Sequence, residues 1–147
     1  MRLYIDLNCF NRPFDDQRQE RVRHETEAVL SILRRIIDGN DSLVWSWALT
    51  FENEKHPMPD RRDEIALWEG RAERSISLDD GVKERAKQLT RQGIPAMDSV
   101  HLACAEAAGV DVLLTCDDVF FRRARRLSLA LRVVNPVAYL PEVIRNG

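Results

Sequence analysis

Apolar residues in this chain fall into short unbroken runs, separated by longer stretches with helical spacing. Two of the runs stop abruptly at carboxylates: Leu3-Tyr4-Ile5 ends in Asp6, and the run from Val110 to Cys116 ends in Asp117-Asp118. A short apolar run between helical segments reads as a strand buried on both faces, as in a parallel sheet. Ser42 to Trp45, Ser75 to Leu78 and Leu131 to Val134 are the other candidate strands. Asn8, Asn11 and Pro13 read as a loop. From Gln17 to Ile37, Val22, Val29, Leu30, Leu33, Ile36 and Ile37 recur at helical spacing, with Arg and Glu opposite. Gly39 or Asn40 suits the left-handed cap that ends this helix. Ser46 caps a helix that stops before Pro57. Pro59-Asp60 starts another, running to about Arg71. Asp79 or Asp80 caps a third, closed by Gly93. Pro95 and Asp98 fall in the first turn of the next helix, which is apolar almost all round through Ala108 and is therefore central and buried. Gly109 ends it. Asp118 to Leu127 forms a basic helix and Val137 to Ile144 the last one. The alternation predicts an α/β fold, a three-layer α/β/α domain with a mainly parallel central sheet of four to five strands. With 147 residues, the chain is expected to form one domain, residues 1–147.

Composition narrows the picture in three ways. The 22 basic and 24 acidic residues leave a formal charge of −2, so no global field draws nucleic acid, and any such binding rests on local patches. Cys9, Cys104 and Cys116 lack metal-ligand spacing and read as small core residues. No charged-then-apolar leader opens the chain, and no apolar run approaches the ~20 residues that span a bilayer. A cytoplasmic protein without membrane contact is the expectation.

Four carboxylates stand where their strand or helix is otherwise apolar: Asp6, Glu52, Asp98 and Asp117. In parallel sheets, ligands collect outside the carboxyl ends of strands near a topological switch point, which is where Asp6 and Asp117 fall. Packing carboxylates together is costly, because like charges raise one another's pKa and unpaired burial costs more still. No Lys or Arg is adjacent in sequence to neutralise any of the four. Hard divalent cations resolve the conflict, and two ions about 3.5–4 Å apart can serve both the attacking and the leaving oxygen of a phosphodiester.

These residues carry a resemblance. Tyr4-Ile5-Asp6-Leu7-Asn8, Glu52 after the second strand, Asp98-Ser99-Val100-His101-Leu102-Ala103 on the buried helix and Leu113-Leu114-Thr115-Cys116-Asp117 on a strand resemble, in order and spacing, the motifs of PIN-domain proteins, close to the VapC-type toxins of bacterial toxin–antitoxin pairs. The resemblance covers nearly the whole chain. It implies a Mg²⁺- or Mn²⁺-dependent endoribonuclease with Asp6, Glu52, Asp98 and Asp117 as its catalytic and metal-binding acids. It also implies products with a 5′-phosphate and a 3′-hydroxyl, a homodimer, and an antitoxin partner that enters the acidic pocket. Asn8 and Thr115 match the polar positions expected beside the quartet. Leu7 departs from it, standing where the family commonly has a small hydroxyl residue.

Blander roles compete. Asp6 could only cap a turn, and Asp98 could only favour a helix dipole. Glu54 rivals Glu52, but two positions apart they cannot share a helix face. Asp118 is the expected N-cap of the basic helix, leaving Asp117 for metal. His101, one turn after Asp98, reads as a hydrogen-bonded core histidine rather than a catalytic base. Arg122, Arg123, Arg125 and Arg126 fit RNA phosphates or a solvated face equally well. Trp45, Trp47 and Trp68 fit core or interface packing better than base stacking. Two other functions stay open. A phosphoryl-transfer protein would usually carry Asp where Asn8 stands, or a late Lys where none follows Lys87. A catalytically weak or inactive PIN-like module would bind RNA or protein without cutting.

Overall fold

A computed structural model describes residues 1–146. Five strands form one sheet: β1 (Arg2–Ile5), β2 (Ser42–Ser46), β3 (Arg74–Ile76), β4 (Val112–Leu114) and β5 (Arg132–Val134). Their order is β3-β2-β1-β4-β5, and every pairing is parallel. The sheet is thus all-parallel, with β1 at its centre. Leu3, Tyr4, Ile5, Leu43, Val44, Trp45, Val112, Leu113 and Leu114 are all buried, as strands covered on both faces require. Helices α1 (Leu7–Asn11), α2 (Glu20–Ile37), α3 (Trp47–Glu54), α4 (Pro59–Ala66), α5 (Asp80–Arg91), α6 (Ala96–Ala107), α7 (Asp118–Arg125) and α8 (Pro136–Asn146) make up the flanking layers. Helix α2 packs on α8, and α5 packs on α6. The result is the three-layer α/β/α fold.

The chain runs outward from β1 through β2 to β3, then returns to the other side of β1 for β4 and β5. The switch point therefore lies between β1 and β4. Register pairs Leu3 with Val112 and Ile5 with Leu114, and the Asp6 amide donates to the Leu114 carbonyl at 2.9 Å. Asp6 and the stretch from Thr115 to Asp117 consequently leave the sheet side by side.

Several boundaries differ from the sequence reading. The expected loop at Asn8–Pro13 is helix α1 followed by a 3-10 turn at Arg12–Phe14. The turn begins immediately because Asp6 accepts from the Leu7 amide at 2.8 Å. Helix α2 starts at Glu20 rather than Gln17, whose side chain instead donates to the carbonyls of Arg12 and Asp15. The helix from Pro59 tightens into a 3-10 segment at Leu67–Arg71. Strand β3 is shorter and earlier than Ser75–Leu78. Pro95 is the N-cap residue of α6 rather than part of its first turn. Gly39, Gly93 and Gly109 close α2, α5 and α6 with φ of 80°, 102° and 64°, the left-handed conformation expected of a C-cap. All three cysteines are buried free thiols, with the Cys9 and Cys116 sulfurs 3.6 Å apart. Trp45 is core, Trp68 packs against it, and Trp47 is 40% exposed and stacks on Phe51.

Candidate metal centre

Asp6 caps α1 at the end of the central strand and is 6% exposed. Its Oδ2 accepts from Thr115 Oγ1 at 2.8 Å and from Asn8 Nδ2 at 3.1 Å. Thr115 Oγ1 accepts in turn from Asn8 Nδ2 at 3.2 Å and from the Asp117 amide at 3.1 Å. Asn8 Oδ1 accepts the Cys116 amide at 3.0 Å. Asn8 and Thr115 thus lace the end of β1 to the end of β4 and fix the Asp6 carboxylate between them. Leu7 sits outside this lacing and packs partly buried against the core.

Glu52 enters from α3, whose first turn is capped by Ser46. Its Oε1 is hydrogen-bonded to His101 Nε2, from α6. His101 is 1% exposed, and its Nδ1 lies 2.6 Å from the Tyr4 hydroxyl. The core reading of His101 is therefore correct, but one of its partners is a candidate site carboxylate. Ligand atoms of Asp6, Glu52 and His101 lie within 4.8 Å of one another.

Asp98 stands in the first turn of α6 and Asp117 at the end of the β4 segment. Asp98 is pushed up to about 6, first by burial and then by the charges of Asp6 and Asp117, with Glu52 adding to them. Asp98 thus feels the charges of the other three acids, while the one group of three such residues whose ligand atoms lie within 4.8 Å of one another, among the described residues, is Asp6, Glu52 and His101. Burial also raises Asp6, against the opposing pull of His101 and the Thr115 hydrogen bond. Burial disfavours a charged His101, yet the Glu52 hydrogen bond and the fields of Asp6, Glu52 and Asp98 outweigh it and raise its pKa.

One assignment is reversed. Asp117, not Asp118, caps α7: its Oδ1 accepts the amides of Val119 at 2.9 Å and Phe120 at 3.2 Å. The backbone stays extended through Asp117, so Asp118 is already the first helical residue. Asp118 is exposed and pairs with Arg21 at 2.7 Å. It points to a salt bridge rather than to the acids. Glu54 is likewise exposed and forms none of the described hydrogen bonds or ion pairs.

An apolar groove of about 450 Å³ lies elsewhere, lined by Phe10, Phe14, Leu30, Leu33, Leu67 and Trp68. It brings no group of carboxylates together, so the cluster of Asp6, Glu52 and His101 is the stronger candidate for chemistry. Among the described residues, no Lys or Arg forms an ion pair with Asp6, Glu52, Asp98 or Asp117. No helix there is long and apolar enough to cross a membrane.

An all-parallel five-stranded sheet between helical layers, with acids at its switch point, is a PIN-like fold. No protein-family model matches the chain, and no curated protein does. Solved structures do. The structure of VapBC2 from Rickettsia felis bound to a DNA fragment from their promoter is similar with a TM-score of 0.59 and 12% identity, over 92% of this chain and 98% of that one. The structure of VapBC-1 from nontypeable Haemophilus influenzae is similar with a TM-score of 0.55 and 16% identity, over the same 92% and 98%. At such identity the likeness is one of fold.

Proposed function

We propose that this chain is a divalent-metal-dependent endoribonuclease, the toxin of a toxin–antitoxin pair, with residues 1–147 as one nuclease domain. The supporting observation is the convergence of Asp6, Glu52 and His101 within 4.8 Å, with Asp98 in the field of Asp6, Asp117 and Glu52, and without a Lys or Arg among the described residues paired to any of the acids. Carboxylates gathered in this way are the donor set that Mg²⁺ or Mn²⁺ takes. Asp6, Glu52, Asp98 and Asp117 would hold the ion. When bound, it supplies positive charge to a phosphodiester and makes water a readier nucleophile.

The chain's own residues prepare the site. Thr115 and Asn8 orient Asp6 by donating to Oδ2, while the Leu7 amide engages Oδ1. Asp117 is held by the first amides of α7. Exposed Arg122 and Arg125 on α7 and Arg126 at its C-cap offer cations for RNA phosphates. Exposed Leu30, Ile37 and Leu67 offer apolar surface to a protein partner, an antitoxin or a second copy of the chain.

The test is cleavage of RNA by the purified chain with Mg²⁺ or Mn²⁺. Cleavage that stops on chelation and returns with added ion supports the reading. Tight RNA binding without cleavage at any ion concentration would leave a PIN-like binding module instead.

A pH dependence follows from Asp98. Its carboxyl titrates near 6 in the folded chain and near 3.8 ordinarily. Between those values the folded chain holds a proton that the unfolded chain has lost, so stability falls as pH rises through the window. Because the group is partly exposed, its share is about 1 kcal/mol. Asp98→Asn should therefore be more stable than wild type near pH 7 without metal and no more stable near pH 4, read by thermal denaturation. Cleavage should rise with pH through about 6, as the carboxylate that binds the ion forms.

A further inference from the structure

A hydrogen-bonded chain runs from the start of α3 through the core and back to Glu52 on the same helix. The Leu49 amide lies 3.3 Å from Ser46 Oγ, Ser46 Oγ lies 2.6 Å from the Tyr4 hydroxyl, and the Tyr4 hydroxyl lies 2.6 Å from His101 Nδ1. His101 Nε2 then meets Glu52 Oε1. Ser46, Tyr4 and His101 are all 1% exposed or less. Bulk water therefore does not compete for these bonds.

The polarity of this chain is set at its Glu52 end. A carboxylate only accepts, so a bare Nε2 would oppose two acceptors, and His101 Nε2 carries a proton toward Glu52. In the neutral imidazole Nδ1 then accepts from the Tyr4 hydroxyl, whose oxygen is left to accept from Ser46.

We infer that His101 is a positioning residue, which donates Nε2–H to Glu52 Oε1 and holds that carboxylate beside Asp6, with the Tyr4 hydroxyl donating to its Nδ1. The physical need is plain. Glu52 has a flexible side chain that is 33% exposed, whereas Asp6 is buried and held by three donors. A long carboxylate at a cleft mouth loses affinity for an ion through rotamer freedom unless something pins it. His101 is rooted in a helix packed on β2 and on α3, so it supplies a rigid anchor. This role rests on the metal-nuclease reading for its consequence in RNA cleavage, but not for the tautomer or for ion binding.

The experiment uses the full chain in three forms: wild type, His101→Phe and His101→Gln. Nitrogen-15 NMR of the ion-free wild type reads the imidazole directly, and a proton on Nε2 is expected. Manganese affinity, measured by calorimetry, should fall by about ten- to a hundredfold in His101→Phe. His101→Gln, which keeps an N–H toward Glu52, should recover to within about tenfold of wild type. If His101→Phe fails to fold, Tyr4→Phe, a milder change that leaves the imidazole in place, should still carry its proton on Nε2, held there by Glu52, and a proton moved to Nδ1 overturns the inference. A bare Nε2 in the wild type, or an unchanged manganese affinity in folded His101→Phe, overturns the inference. If the wild type cuts no RNA while the tautomer and the affinity loss are as expected, the nuclease reading falls and the positioning role stands.

Discussion

Asp6→Asn is expected to lower RNA cleavage by at least about a hundredfold while leaving the fold intact. Asp6 stands at the end of the central strand, at the switch point of the sheet, and all three of its side-chain hydrogen bonds are donated to its carboxylate oxygens. Asparagine keeps one acceptor oxygen and presents an amide where a second one stood. It removes a negative charge from the cleft and turns a donor toward either Leu7 or the Thr115–Asn8 pair. Both changes weaken an ion that needs anionic oxygen. The cost to folding is small by comparison. Burial already disfavours the charged form of Asp6, so neutralising it offsets part of the lost hydrogen bonding. Initial cleavage rates and thermal midpoints measured on one preparation separate the two effects. A folded Asp6→Asn chain that cuts at the wild-type rate would remove Asp6 from the site.

The largest effect on stability is expected away from the acids, at Glu25. This residue is 1% exposed on α2. It accepts from Arg12 at 2.8 Å and Asn135 at 2.6 Å, with Arg21 at 3.4 Å. Arg21 also pairs with Asp118 and donates to the Cys116 carbonyl at 3.0 Å. One buried carboxylate thereby joins α2, the 3-10 turn after α1, the segment after β5 and the loop that carries Asp117. Removing one partner of a buried pair leaves the others uncompensated, so Glu25→Ala should cost about 3 kcal/mol and lower the thermal midpoint by about 10 °C. The exposed pair Arg18–Asp16 is the control, since its removal should leave the midpoint unchanged. A Glu25→Ala midpoint equal to wild type would mean that the clamp contributes nothing.

What the sequence discloses and what it withholds divide along physical lines. Strands β1 and β4 were legible because double burial demands unbroken apolar runs, and the acids ending those runs marked the switch point. The cap at Ser46 and the glycines closing α5 and α6 were legible because they are local chemistry, whereas Asp79 against Asp80 and Gly39 against Asn40 stayed open in sequence. Helix α1 was hidden by its five residues, too few to show a period. The choice between Asp117 and Asp118 as cap was hidden because either suits an N-cap, and the answer depends on where the chain leaves β4. His101 gave no local sign of its partner, since Glu52 lies 49 positions away on another helix. The Glu25 clamp was equally invisible, being assembled from four separate segments. Helical periodicity would place Glu25 beside Arg21, but nothing local joins it to Arg12 or Asn135.

The proposal depends on side chains remote in sequence sharing one cleft that accepts a divalent ion. Calorimetric titration of the full chain with Mn²⁺ at neutral pH, repeated on Asp6→Asn and Asp98→Asn, tests this most directly. Saturable binding by the wild type that is lost or greatly weakened in both variants is the expected result. No binding at millimolar Mn²⁺, or binding that both variants retain unchanged, would contradict it.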